Sequence, residues 1–219
     1  MIDTVIFDAE GVVIDTEPIW DKGQVEFLRR RGLVYDRASL KPLLTGTSVV
    51  EGVRIMQRQY GFGGDPDTLA AERMDIIEDL LRRETDFIPG FTAFFERVRH
   101  TRKTCIATAM APSLFTLVDA TLGLTERFGG RIFTVADVMG KGKPHPDLFL
   151  HAMTRLGSEP SRCLVIEDAP LGIEAARRGG MRSVGITTTY PRELLSQADL
   201  VVDAFDDIPP TIWSEDLKK

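Results

Sequence analysis

Residues 4–11 read TVIFDAEG. Thr4, Val5, Ile6 and Phe7 form a short run of β-branched and aromatic residues that ends at Asp8. An unbroken run of this kind, without polar alternation, is the pattern of a strand buried on both faces of a parallel sheet. Similar runs recur at 104–107 (TCIA), 131–135 (RIFTV), 163–166 (CLVI), 183–187 (SVGIT) and 200–202 (LVV). Amphipathic stretches of helical length, at 112–122, 146–156 and 171–178, lie between them. Alternating strand and helix predicts an α/β fold with a doubly wound parallel sheet.

The alternation is interrupted after the first strand. Val49, Val53, Met56 and Tyr60 share one helical face, and Ala70, Met74, Ile77 and Leu81 repeat the spacing. Asp65-Pro66 suits an N-cap followed by proline at the first helical position. Residues 61–64 (GFGG) read as a turn. The expected organisation is an α/β core from residues 1–16 and 87–219, with an all-helical domain at 17–86 inserted into it. The run Arg29-Arg30-Arg31 reads as a solvated helix end, where cations suit the dipole.

Composition narrows the function. The 219 residues carry 27 Lys+Arg against 33 Asp+Glu, a formal net charge of −6, and 43% are hydrophobic. No apolar run approaches the roughly 18 residues of a membrane span, and the N-terminal residues do not resemble a secretory signal. A cytoplasmic protein without a membrane partner is expected. The acidic balance disfavours a nucleic-acid partner, which requires a basic stripe. Cys105 and Cys163 lie within apolar runs and read as small buried hydrophobes.

Ligands of parallel α/β sheets bind at the carboxyl ends of the strands. Asp8 and Glu10 follow the first run, Thr108 the second, and Glu167 and Asp168 the fourth. Lys143 lies in the segment GKGKPHPD at 140–147, after the third. Hard carboxylate oxygens suit Mg²⁺, which commonly bridges carboxylates to a phosphate. A lysine would neutralise phosphate charge, while a threonine and loop amides would hydrogen-bond phosphoryl oxygens. A carboxylate can itself accept a phosphoryl group. The three histidines, His100, His145 and His151, sit in helical or proline-flanked contexts and read as structural.

Four segments resemble, in order, the motifs of the haloacid dehalogenase superfamily: FDAEGVVIDTEP at 7–18, Thr108 ending IAT, Lys143 in GKPHPD, and Glu167-Asp168 in IEDAPLGIEAARRGGM. The resemblance spans essentially the whole chain. Within the superfamily, DTEPIW at 15–20 is similar to the sugar-phosphate and hexitol-phosphate phosphatases near β-phosphoglucomutase.

The resemblance implies a Rossmann-like core with a helical cap and a two-step phosphoryl transfer through an aspartyl phosphate on Asp8. Mg²⁺ would be held by Asp8, the backbone carbonyl of Glu10 and Asp168, with Glu167 in or beside the shell. Thr108 and Lys143 would hold the phosphoryl group, aided by the backbone N–H of Ala109. The cap would select the substrate through Gly46 and Thr47, in LTGTSV at 44–49, and through Trp20.

The chain departs from the family pattern at residue 10. There the family has an aspartate that protonates the leaving group, and Glu10 adds one carbon–carbon bond, about 1.5 Å. The expected function is a Mg²⁺-dependent phosphatase of a small phosphorylated metabolite of the sugar-phosphate kind, as a monomer or weak homodimer. Two alternatives stay open: a phosphomutase of the β-phosphoglucomutase type, and a phosphometabolite-binding protein with weakened or no catalysis because of Glu10.

Overall fold

The computed structural model describes residues 1–214. The chain divides into two compact units, Met1–Asp15 together with the chain from Asp86 onward, and Thr16–Thr85.

In the first unit, six parallel strands among the described residues make one sheet: β1 (Thr4–Phe7), β2 (Lys103–Thr108), β3 (Ile132–Thr134), β4 (Cys163–Glu167), β5 (Arg182–Ile186) and β6 (Leu200–Val202). Their order is β3-β2-β1-β4-β5-β6, and the helices α5 (Phe91–Arg99), α6 (Pro112–Leu122), α7 (Leu124–Arg127), α8 (Asp147–Arg155) and α9 (Pro170–Arg178) belong to the same unit. The direction of winding reverses at β1. Phe7 is in register with Ile106 of β2 on one side and with Ile166 of β4 on the other. A crevice opens at such a reversal, because the connections leave the two neighbouring strands in opposite directions.

The apolar run of β1 is buried on both faces, as its pattern predicts. Phe7 meets Phe91, Phe94, Phe95 and Phe128 edge-on, with centroids 5.6, 6.2, 6.3 and 5.9 Å away. Ile6 belongs to the opposite core, with Cys105, Ala107, Phe149, Val165 and Ala175. Both cysteines are buried free thiols within this packing.

The second unit is helical: α1 (Glu17–Arg29), α2 (Arg37–Leu44), α3 (Val49–Tyr60) and α4 (Pro66–Glu84). Asp65 caps α4 by accepting from the Thr68 N–H at 2.9 Å, with Pro66 next in the chain. The buried face of α4 is wider than the apolar spacing suggested. It comprises Leu69, Ala70, Arg73, Ile76, Ile77, Leu80 and Leu81, while Met74 is only half-buried. The arginine run also departs from expectation. Arg29 and Arg30 bond to Glu26 at the surface, but the Arg31 guanidinium lies 3.9 Å over the Phe27 ring and pairs with Glu72. Its flat, weakly hydrated head allows it to cover an aromatic ring. No described helix is long and apolar enough to cross a membrane.

The aromatic layer under β1 makes the first expectation testable. Phe95 is fully buried between Phe91 and Phe128, so Phe95→Ala should cost about 3–5 kcal/mol in urea unfolding. A loss below about 1 kcal/mol would mean this layer is not a packed core.

Candidate active site

The loop that carries Asp8 begins where the β1 ladder ends. The Asp8 N–H still donates to the Ile166 carbonyl at 3.0 Å, so Asp8 continues the strand geometry. The chain then turns sharply. The Ala9 carbonyl accepts from the N–H groups of Val13 and Ile14 at 2.8 and 2.9 Å. Gly11 has φ +72°, a left-handed conformation that disfavours a side chain. Space imposes the same choice: a Cβ at Gly11 would lie 1.9 Å from Asp168 Oδ2.

The acidic pair is fixed by β4 and α9. Glu167 is the last residue of β4 and is fully buried. Its Oε2 accepts from the N–H groups of Asp168 and Ala169, both at 3.0 Å. Gly172 on α9 leaves room for this carboxylate, since a Cβ there would fall 1.8 Å from Glu167 Oε1. Lys143 arrives from the loop after β3. Its ammonium donates to Asp8 Oδ1 at 2.5 Å and to Glu167 Oε1. Its side chain is about one-tenth exposed, as is that of Asp8.

Asp8, Glu167 and Asp168 each place an oxygen within 4.8 Å of the others. At that distance and an effective dielectric of about 20, each like-charged pair repels by roughly 3 kcal/mol or more. One lysine faces three buried carboxylates. Burial, then the charges of Glu167 and Asp8, holds the Asp168 carboxyl well above the usual carboxylate range. Burial chiefly raises Glu167 too, against the pull of Lys143. For Lys143 burial acts downward, but Asp8 and Glu167 outweigh it and the net shift is upward. Three buried hard-oxygen donors with an excess of negative charge fit a divalent cation such as Mg²⁺. Asp8 and Asp168 suit direct ligation best, because both Glu167 oxygens already accept hydrogen bonds. The Glu10 carboxylate is not part of this group of three. Its residue is half-buried in the turn, where it forms a bridge with Ile14.

Thr108 closes β2, and its register puts it one residue beyond the level of Asp8. Its hydroxyl oxygen accepts from the Met110 N–H at 3.0 Å, fixing the turn that exposes Ala109. The remaining candidates belong to the helical unit. Gly46 (φ +76°) and Thr47 form the exposed turn before α3, with the Thr47 hydroxyl donating to the Leu44 carbonyl at 2.7 Å. Trp20 is half-buried, with the Arg73 guanidinium 5.4 Å from its ring centre.

Sequence reading missed Arg73 because helical periodicity marks apolar residues only. Arg73 is buried; its Nε donates to Gln24 Oε1 at 3.1 Å and its Nη1 to the Val49 carbonyl at 3.4 Å. Burial pushes its pKa down to about 10. Thr188 and Thr189 were also missed, although they follow the fifth strand and obey the same carboxyl-end rule. The Thr188 hydroxyl donates to the Gly11 carbonyl, and that of Thr189 bonds to Asp168.

The chain is similar to known proteins along most of its length. Residues 2–180 match a family model described as haloacid dehalogenase-like hydrolase. A fructose-1-phosphate phosphatase of Escherichia coli K12 is 30% identical over 83% of this chain and 95% of its own. A solved haloacid dehalogenase-like protein of unknown function from Agrobacterium tumefaciens superposes with a TM-score of 0.83 at 25% identity, covering 97% of this chain and 98% of that one. A family hydrolase from Deinococcus radiodurans, solved with bound phosphate and sodium, gives a TM-score of 0.78 at 27% identity over 94% and 92% of the two chains.

The carboxylate cluster has a consequence for stability. Asp168 and Glu167 have folded-state pKa values above their unfolded ones. The native state therefore binds more protons than the unfolded state across that window. Stability from this source is present below the unfolded carboxylate pKa and is lost as pH rises through the folded values. In chelator, unfolding free energy should fall as pH rises above the ordinary carboxylate range, and Asp168→Asn should flatten that fall. A pH-independent difference between the two proteins would contradict the burial of a charged Asp168.

Proposed function

The chain therefore belongs to the haloacid dehalogenase-like hydrolases, and from that membership we propose that it is a Mg²⁺-dependent phosphatase of a small phosphorylated metabolite. The observation that carries this reading is the Lys143 ammonium clamped between Asp8 and Glu167, with Asp168 in the same cluster. Asp8 is the nucleophile. It is held in place by its strand, and Gly11 lets Asp168 pack closely against its loop. Mg²⁺ held by Asp8, Asp168 and the Glu10 carbonyl would supply positive charge to the phosphoryl oxygens.

Asp8 attacks phosphorus in line, the ester P–O bond breaks, and the leaving oxygen takes a proton from the Glu10 carboxyl. Water then attacks the aspartyl phosphate and gives its proton back to the Glu10 carboxylate. Inorganic phosphate leaves and Asp8 is restored. Lys143, together with Thr108 and the Ala109 N–H, binds the phosphoryl oxygens. Position and electrostatics provide most of the acceleration in such chemistry. The acid–base role asks only for a carboxyl group, and the ordinary pKa values of Asp and Glu differ by only about 0.4.

The relative that acts on fructose 1-phosphate supports a sugar phosphate as the substrate class and hydrolysis over phosphoryl return to the sugar. Selection among sugar phosphates is assigned to the helical unit, with Trp20, Gly46 and Thr47 as candidates.

The test is phosphate release from an aryl phosphate and a panel of sugar phosphates, with Mg²⁺ and with chelator. Release should need Mg²⁺. Asp8→Asn should abolish it, and Glu10→Gln should lower kcat by about 10²–10⁴-fold. Turnover by Asp8→Asn at the native rate would contradict the nucleophile assignment. Isomerisation of a sugar phosphate without phosphate release would replace the phosphatase reading with that of a mutase.

A further inference from the structure

The loop after β5 contains three consecutive threonines, and each ties a different element. The Thr187 hydroxyl bonds to Asp203 Oδ1 at 2.7 Å and its N–H donates to the Val202 carbonyl at 3.0 Å, which anchors the loop at the end of β6. The Thr188 hydroxyl donates to the carbonyl of Gly11, in the turn that also carries Glu10. The Thr189 side chain bonds to the Asp168 carboxylate. A Cβ built on Gly11 would lie 1.9 Å from Asp168 Oδ2 and 2.8 Å from Thr189 Oγ1, so these three residues form one tight cluster. The loop thus reaches from β6 across the end of β4 to the turn after β1.

We propose that Thr188 and Thr189 are positioning residues for the site: Thr189 aims the Asp168 carboxylate at the cation, and Thr188 fixes the turn that carries Glu10. This rests on the Mg²⁺-dependent reading above. A carboxylate has more lone pairs than one metal ion can use, so a hydroxyl donor on one of them decides which remain for the ion. Partners of this kind outside the metal's own ligands typically contribute 10–100-fold to metal affinity or activity. β-branched threonine suits the task, because its restricted χ1 holds the hydroxyl in place. The two threonines act on different parts of the chemistry. Loss of the Thr189 hydroxyl loosens a metal ligand. Loss of the Thr188 hydroxyl loosens the turn that carries both the Glu10 carboxyl and the Glu10 carbonyl, and leaves the Asp168 carboxylate in place.

The experiment is a Mg²⁺ titration of chelator-stripped protein, read by calorimetry and by the rise in melting temperature, alongside kcat at saturating Mg²⁺. Thr189→Val should bind Mg²⁺ about 10–100-fold more weakly, and Thr189→Ser should restore the native affinity. Thr188→Val should lower kcat at saturating Mg²⁺, a loss that added metal does not restore. Circular dichroism in chelator checks folding, and Thr189→Ala takes the place of Thr189→Val if the latter does not fold. Native Mg²⁺ affinity in the Val or Ala variant, or equal weakening by Ser, would overturn the proposal. Asp168→Asn separates the two levels of the argument. If the wild-type protein binds Mg²⁺ and Asp168→Asn does not, while Thr189→Val binds normally, only the role of Thr189 falls. If the wild-type protein binds no Mg²⁺, the phosphatase reading falls, and this proposal with it.

Discussion

The Lys143 ammonium, buried between the carboxylates of Asp8 and Glu167, is the contact around which the α/β unit is arranged. Removing a charge from water is costly unless it is paired, and here one cation serves two partners from different strands. That pairing requires Asp8 to sit level with Glu167, and the parallel register of β1 with β4 provides it. The three carboxylates together also require backbone without side chains at two places. Gly11 makes room for Asp168 and Gly172 makes room for Glu167. The sheet order completes the arrangement, because β1 and β4 flank the point where winding reverses and a ligand crevice opens.

The lysine does not balance the site by itself. Asp168 lies within the same 4.8 Å cluster, and its burial leaves negative charge in excess. The net charge of −6 for the whole chain conceals this concentration. An acidic balance argues against a nucleic-acid partner, yet locally it creates the demand for a divalent cation. Under the proposed function, a cation bound there would make the site able to receive a phosphate anion. The same electrostatic excess that strains the metal-free protein would thereby prepare it for the anionic substrate proposed above.

Much of this was legible in the sequence, for identifiable reasons. Unbroken apolar runs located the strands, because burial on both faces leaves no alternation to misread. Asp65-Pro66 placed the start of α4, because capping chemistry is local. The carboxyl-end rule alone brings Asp8, Glu167, Asp168 and Lys143 to one edge of the sheet. What the sequence did not disclose depends on packing. Arg73 and Arg31 look like surface residues on any hydropathy pattern, and only the folded helical unit shows one buried and the other laid over Phe27. The necessity of Gly172 is invisible until the Glu167 side chain is placed against α9. Thr188 and Thr189 were hidden because hydroxyls are common in loops, and their partners lie far away in the chain.

The central claim is that Asp8 takes the phosphoryl group from the substrate. Borohydride reduces an aspartyl phosphate to homoserine, so the direct measurement is peptide mass spectrometry after rapid quenching and reduction of enzyme turning over an aryl phosphate with Mg²⁺. Homoserine at position 8 is the expected result, absent without substrate and absent in Asp8→Asn. Reduction at another carboxylate, or none in an enzyme that is releasing phosphate, would contradict it.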